Sequence, residues 1–416
     1  MKEESKMVIS KSIRKRFPIL KNKVEMQNYP LCFLDSASTT LKLDTVLKNT
    51  MDYYTKYSAN LARSDYDLGA MVDKEVAIVR SKIQHFINAN QVEEVVFTNN
   101  TTESINIIAH GYGLSHLTAE DEIIISEIEH AANVLPWYTV AKKTGCKVSF
   151  VPADKQGNVS IKELEKMISS RTKIVALAQI SNVLAQELDV KKVAQIAHNV
   201  GAILVVDGAQ SVPHIKVDVQ DLDCDFLVFS AHKMLGPTGV GVLYGKYDLL
   251  EKTEPLLSGG GMNLKYDICG DIKYLHAPSK FEAGTPNLAG IIGFGPAIDF
   301  LAELGMHNVQ KHDEMLKRYT IKRLKEVPNI IVYNATSSTG IITFNVKDIF
   351  AQDVATYLNS KGICVRSGQH CSKILSERFD THSTVRVSTY LYTTKQDIDR
   401  LIDALMKVEN FLDAYF

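Results

Sequence analysis

Residues 225–241, DFLVFSAHKMLGPTGVG, decide how this chain is read, together with the earlier run 202–210, AILVVDGAQ. In each, a short apolar run gives way at once to polar residues and then to turn formers. The pattern recurs from about residue 94 to 245 in EVVFT, DEIIIS, KVSFV, KIVALAQ and GVGVLYG, with helical patterns such as TTESINIIAHGYG and KKVAQIAHNVG between. Apolar runs bounded by turns and separated by helices predict an α/β fold whose sheet is mostly parallel and covered on both faces. Ligands of such sheets lie beyond the carboxyl ends of the strands, so polar residues that directly follow strands are the site candidates.

Working outward, the chain has 416 residues, 45% of them apolar and 23% charged, an ordinary soluble composition with room for more than one domain. A net charge of −1 gives no bulk electrostatic reason to expect a nucleic-acid or membrane partner. The N-terminal MKEESKMVISKSIRKRFPIL lacks a signal-peptide core, and Glu3 and Glu4 argue against a transit peptide. Its basic KSIRKR reads as the solvated face of a first helix. No apolar run is long enough to span a bilayer, and a cytoplasmic location is expected. The six cysteines (Cys32, Cys146, Cys224, Cys269, Cys364 and Cys371) form no CxxC pair and no metal-like grouping, so no metal site is expected. After HDEMLKRYTIKRLKEV the pattern changes: GIITFNV, DVATYLNSKG, ICVRSG and TVRVSTYLY read as a smaller α+β unit.

Lys233, in the first quoted stretch, stands where a lysine is hard to place. Asp207 closes the preceding strand, one strand and crossover earlier, so both belong on the same sheet edge. An aspartate and a lysine in that relation fit pyridoxal 5′-phosphate chemistry. The lysine forms a Schiff base, and the aspartate keeps the pyridine nitrogen protonated so that the ring accepts electrons.

DGAQSVPH, followed by DCDFLVFSAHKMLGPTGVGVLYGK, closely resembles the cysteine desulfurases of the class V aminotransferase group, in particular the SufS-type branch. The resemblance runs from LDSAST near residue 34 to TVRVSTYLY near 390. It implies the fold type I of pyridoxal-phosphate enzymes. A large domain at 31–300 would carry a mostly parallel seven-stranded sheet, and a small α+β domain at 301–416 the catalytic cysteine. A segment at 1–30 would pack with the small domain.

Individual motifs carry the site. TNNTTESIN places Thr101 and Thr102 at a helix start straight after a strand, where backbone N–H groups and hydroxyls receive a phosphate. Ser230 and His232 match the family's other phosphate contacts, and Thr285 in FEAGTPN matches a threonine that reaches the phosphate of the neighbouring subunit in a homodimer. His130 in EIEHAAN matches the imidazole stacked on the cofactor ring. Asn182 in QISNVL matches a residue near the ring hydroxyl and substrate carboxylate, and Gln210 a second ring-hydroxyl partner. Arg386 in STVRVS holds the family's carboxylate-binding position, Arg being the natural bidentate clamp, while Arg366 is a lesser candidate. Cys371 in VRSGQHCSK matches the nucleophilic cysteine, in a Gly-flanked polar loop unlike the apolar settings of Cys146 and Cys364.

The activity implied is conversion of L-cysteine to L-alanine, with a persulfide left on Cys371 and passed to an acceptor protein of SufE or SufU type for iron–sulfur cluster assembly. Arg386 and Asn182 would hold the substrate, and Lys233 would move the α-proton. The chain departs from the family pattern in FTNNTTE, in the Gln179 to Asn182 segment, in Gln369 before His370, and most of all in ANLARSDYDLG at 59–69. There Asn60 and Arg63 are kept, but Ala62 and Tyr66 replace histidines. A selenocysteine lyase or another class V enzyme would carry the same lysine and aspartate, and dependence on Cys371 separates these readings. A non-catalytic sulfur-pathway binding protein would not keep lysine, aspartate and cysteine together. A Rossmann oxidoreductase would need a GxGxxG after the first strand, which is missing.

Overall fold

A computed structural model describes residues 11–414 apart from 63–64, 155, 338 and 379–380. Arg63, singled out above, and residues 1–10 of the N-terminal segment therefore lie outside the described residues.

The large sheet has seven strands: β1 Val95–Thr98, β2 Glu122–Ser126, β3 Lys147–Val151, β4 Thr172–Ala178, β5 Ile203–Asp207, β6 Phe226–Ser230 and β7 Gly241–Gly245. They lie in the order β1-β7-β6-β5-β4-β2-β3, with β7 antiparallel to both neighbours and every other pairing parallel. The continuous apolar runs follow from burial on both faces. Along β5, Ile203 and Val205 join one apolar cluster while Leu204 and Val206 join the other. Phe226 and Val228 alternate in the same way with Leu227 and Phe229 on β6. A strand so enclosed has no lateral place for a charge, which leaves polar groups only at its ends.

Helices cover both faces. α1 Asp44–Lys56 and α2 Asp67–Phe86 pack with α5 Leu288–Leu304, which is apolar nearly all round because it lies between other elements. α3 Thr101–Ile107 starts directly after β1, and α4 Val190–His198 lies on the sheet before β5, its Val193, Ala194 and Ala197 buried. α6 Met306–Leu324 leads into a second, four-stranded antiparallel sheet. Its strands are β8 Ile330–Val332, β9 Ile341–Val346, β10 Arg366–Gly368 and β11 Thr384–Ser388, in the order β8-β9-β11-β10. α7 Ala351–Ser360 and α8 Lys395–Leu405 share a core with it, including Phe344, Val354, Val387 and Leu401.

The early chain ties the two sheets together. Cys32–Phe33 pairs in parallel with Ile363–Cys364, and Asp35 bridges to Ser388 at the end of β11. KSIRKR is in part the expected solvated face, with Lys15 exposed, but Arg14 departs from it. The segment forms a 3₁₀ turn in which Arg14 donates to the Tyr392 carbonyl at 2.5 Å and to Asp397 at 2.7 Å, and the Phe17 that follows packs edge-on to Tyr392 at 4.9 Å. The charge is there to answer the buried Asp397, which also accepts from Thr394 at the start of α8.

Gly241 shows how closely the sheet approaches the start of α3: a Cβ there would lie 2.6 Å from the Asn100 Cα and from the Thr98 Oγ1. Gly241→Ala is therefore expected to push the α3 cap off the sheet and destabilise the protein by about 1–3 kcal/mol, read from urea unfolding midpoints.

Candidate active site

The carboxyl ends of β1, β2, β4, β5 and β6 and the β10–β11 edge of the small sheet enclose a cavity of about 350 Å³. Lys233, Asp207, His130, Cys371, Arg386 and Arg366 all line it. The other residues sought in the sequence for cofactor or substrate divide between two places. Thr101, Thr102, Asn182, Gln210, Ser230 and His232 also line this cavity, whereas Thr285 is exposed in a separate cleft beside Thr98, Asn99 and Glu103.

Each side chain is set by a local device. Asn100 caps α3 by accepting from the Glu103 N–H at 3.0 Å, and the Thr101 N–H donates to the Ser230 Oγ at 2.9 Å. The hydroxyls of Thr101 and Ser230 lie 2.7 Å apart, so the first residue of α3 and the last of β6 present their hydroxyls together. Asp207, buried at the end of β5, accepts from the Ala209 N–H at 2.9 Å. His130 accepts from the Ala132 N–H at Nδ1, 3.1 Å, which leaves its proton on Nε2. Burial and then the Lys233 charge push the His130 pKa down, so its ring is neutral at neutral pH. Burial also lowers the Lys233 pKa, partly opposed by Asp207.

Cys371 is exposed to the cavity on a loop with left-handed backbone at His370 (φ 52°) and Cys371 (φ 57°). Hydrogen bonds from the segments that follow β2 and β4 hold this loop. The Asn182 amide donates to the His370 carbonyl at 2.8 Å and accepts from the Ser372 hydroxyl at 3.1 Å, and the Ala131 N–H donates to the Cys371 carbonyl at 2.7 Å. His370 itself is buried with Nε2 2.9 Å from the Thr384 hydroxyl, and burial with the Arg386 charge lowers its pKa to about 3. Asn182 thus braces the cysteine loop, a contact that the sequence motif did not reveal.

Arg386 is buried, donating to the Asn182 carbonyl at 2.9 Å and the Ser38 hydroxyl at 2.7 Å. Burial brings its pKa down to about 10. Sequence reasoning missed three further groups. Asp35 pairs with Arg366 at 3.0 Å. Its signal was an apolar run, LCFL, ending in an acid, as with Asp207. Glu129 is fully buried, accepting from Ser126, Asn133 and the Ala178 N–H, and burial raises its pKa to about 7. Lys42 donates to the His232 carbonyl at 3.0 Å, and burial lowers its pKa to about 7.

The aminotransferase class-V model matches residues 32–401. The chain belongs to the class-V aminotransferase family. Among its class-V relatives, a probable cysteine desulfurase of Halalkalibacterium halodurans is 45% identical over 97% of this chain and 99% of that protein. A cysteine desulfurase of Pectobacterium carotovorum is 40% identical over 97% and 98%. The crystal structure of the Escherichia coli cysteine desulfurase CsdA superposes with a TM-score of 0.89 at 36% identity, covering 96% of this chain and 98% of that one. The apo cysteine desulfurase of Thermococcus onnurineus gives 0.90 at 34% identity, over 97% and 98%.

The class-V site fits pyridoxal 5′-phosphate. The Gln210 Oε1 and Arg386 Nε are buried without a hydrogen-bond partner among the described residues, although Gln210 donates through its other amide atom to the Ala37 carbonyl. A ring hydroxyl and a carboxylate are the groups such atoms lack.

Lys42 makes a pH prediction. A lysine whose folded pKa lies below its unfolded value, about 10.4, stabilises the fold least near and below pH 7 and most above pH 10. Stability of the native protein should therefore gain a contribution between about pH 7 and 10 that is absent in Lys42→Met, measured by urea unfolding at both pH values.

Proposed function

We propose that this class-V enzyme is a pyridoxal-phosphate-dependent cysteine desulfurase of the SufS-type branch, converting L-cysteine to L-alanine and a persulfide on Cys371. The observation that carries the reading is the convergence of Lys233, Asp207, Arg386 and Cys371 on one cavity, with the cysteine loop hydrogen-bonded to the loop of His130. The names of the relatives and solved structures support it.

Thr101, Thr102, Ser230 and His232 would hold the phosphate, with Thr285 reaching the site of a second subunit. His130 would cover the ring, Asp207 would face its nitrogen, and Gln210 its hydroxyl. When bound, the cofactor supplies an electron sink for charge developing on the substrate α-carbon. Lys233 Nζ would be the amine that anchors the cofactor and the base that takes the substrate α-proton. Its lowered pKa favours the neutral form that base catalysis needs. Arg386 fixes the substrate carboxylate, which orients the side-chain sulfur toward Cys371. The Cys371 thiolate then attacks that sulfur: an S–S bond forms and the substrate C–S bond breaks, its electron pair staying with the substrate carbon, which takes up a proton to become the methyl group of alanine.

The chain would work as a large unit at 31–300 and a small unit at 301–416, with the segment at 1–30 packed on the small one. It would act as a cytoplasmic homodimer that delivers its persulfide sulfur to an acceptor of SufE or SufU type, for iron–sulfur cluster assembly. No single helix among the described residues is long and apolar enough to cross a membrane.

The test compares the purified protein with Cys371→Ala. Both should show the visible absorption of bound pyridoxal phosphate, and alanine formation from L-cysteine should fall about a thousandfold or more in the variant. A yellow native protein that makes no alanine from L-cysteine would remove the assigned substrate. A Cys371→Ala variant as active as the native protein would remove the sulfur-transfer step.

A further inference from the structure

Arg366 and Arg386 stand directly opposite each other on β10 and β11. Like charges in that relation repel across an antiparallel pair. Both line the active-site cavity, Arg366 from a half-exposed position and Arg386 from a buried one. Asp35 lies against the two of them. Its carboxylate accepts from Arg366 at 3.0–3.3 Å through two nitrogens and stands 3.5 Å from Arg386. It also accepts from the Ser38 hydroxyl at 2.6 Å, and that hydroxyl accepts from Arg386 at 2.7 Å. Asp35 is fixed there by its backbone bridge to Ser388, which follows Arg386 on the same strand.

Two cations and one anion leave a single net positive charge facing the cavity, and the buried Arg386 Nε has no partner among the described residues. We propose that Asp35 is a specificity-determining, positioning residue: by cancelling one of two facing arginines, it matches the site to a ligand with one carboxylate and disfavours a ligand with two. The inference rests on the reading of Arg386 as the carboxylate clamp. It gives Asp35, which precedes the large sheet in sequence, a part in choosing the substrate.

The test uses the full-length protein loaded with pyridoxal phosphate and two probes without an amine, propionate and succinate, so that binding is read by calorimetry apart from turnover. Replacing Asp35 by Asn adds one net positive charge. The ratio of the succinate Kd to the propionate Kd should then fall about tenfold. Asp35→Glu keeps the charge and should keep the native ratio. Arg366→Gln leaves the cluster neutral and should raise the ratio. If Asp35→Asn weakens both probes by one common factor, or changes neither, the proposal is overturned and Asp35 is only a brace. Should Asp35→Asn fail to fold, Arg366→Gln decides, and an unchanged ratio there overturns the proposal. A native protein that binds neither probe also overturns it. Failure of the desulfurase reading is separate: the native protein would then show the charge-dependent ratios yet release no alanine from L-cysteine.

Discussion

A primary amine enclosed by protein loses most of its hydration, and at Lys233 the charge that chiefly opposes this loss is the Asp207 carboxylate. The large sheet cannot supply them along its length, because its central strands are apolar on both faces. Polar groups are available only where the strands end, and there Asp207, Ser230 and the start of α3 line one cavity. The position of the chemistry is therefore a consequence of how the core is built. Any ligand that both occupies the amine and presents an anionic group to Thr101 and Ser230 relieves the burial of several groups at once.

A second constraint is that the cavity has walls from two sheets, and the short early segment 32–42 joins them. It pairs with the small sheet through Cys32, Phe33 and Asp35. It then crosses to the Lys233 loop, where the Thr40 N–H, the hydroxyls of Thr39 and Thr40, and Lys42 all donate to the His232 carbonyl. Along the way the Ala37 carbonyl takes the Gln210 amide and the Ala37 N–H reaches the Ser388 hydroxyl. One strap thus fixes the arginine-bearing strand relative to the lysine.

The cysteine loop is braced from the segments that follow β2 and β4. Left-handed backbone at two consecutive non-glycine residues is disfavoured, and Asn182 and Ala131 supply hydrogen bonds on either side of it. Glu129 stabilises the other partner of this contact: its carboxylate ties the His130 turn to the end of β4, next to Asp207. The segments that carry His130 and Cys371 are therefore joined by one hydrogen-bond network although they lie far apart in the chain.

The sequence by itself determined the alternation of strand and helix, the strand-end placement of Asp207 and Lys233, and the polar loop of Cys371, because each follows from local periodicity and turn chemistry. Burial on both faces writes itself into apolar runs, and a strand-end polar residue is visible as soon as the run is. The pairing of Asp35 with Arg366 and Arg386, the bracing of the cysteine loop by Asn182, and the seat of KSIRKR against Tyr392 and Asp397 were decided only by the tertiary structure. These contacts join segments far apart in the chain, and a hydrogen bond or ion pair between distant segments leaves no period or spacing to read. Thr285 marks the boundary between the two kinds of knowledge: its motif was legible, and the fold of a single chain sets it in a cleft apart from the cavity.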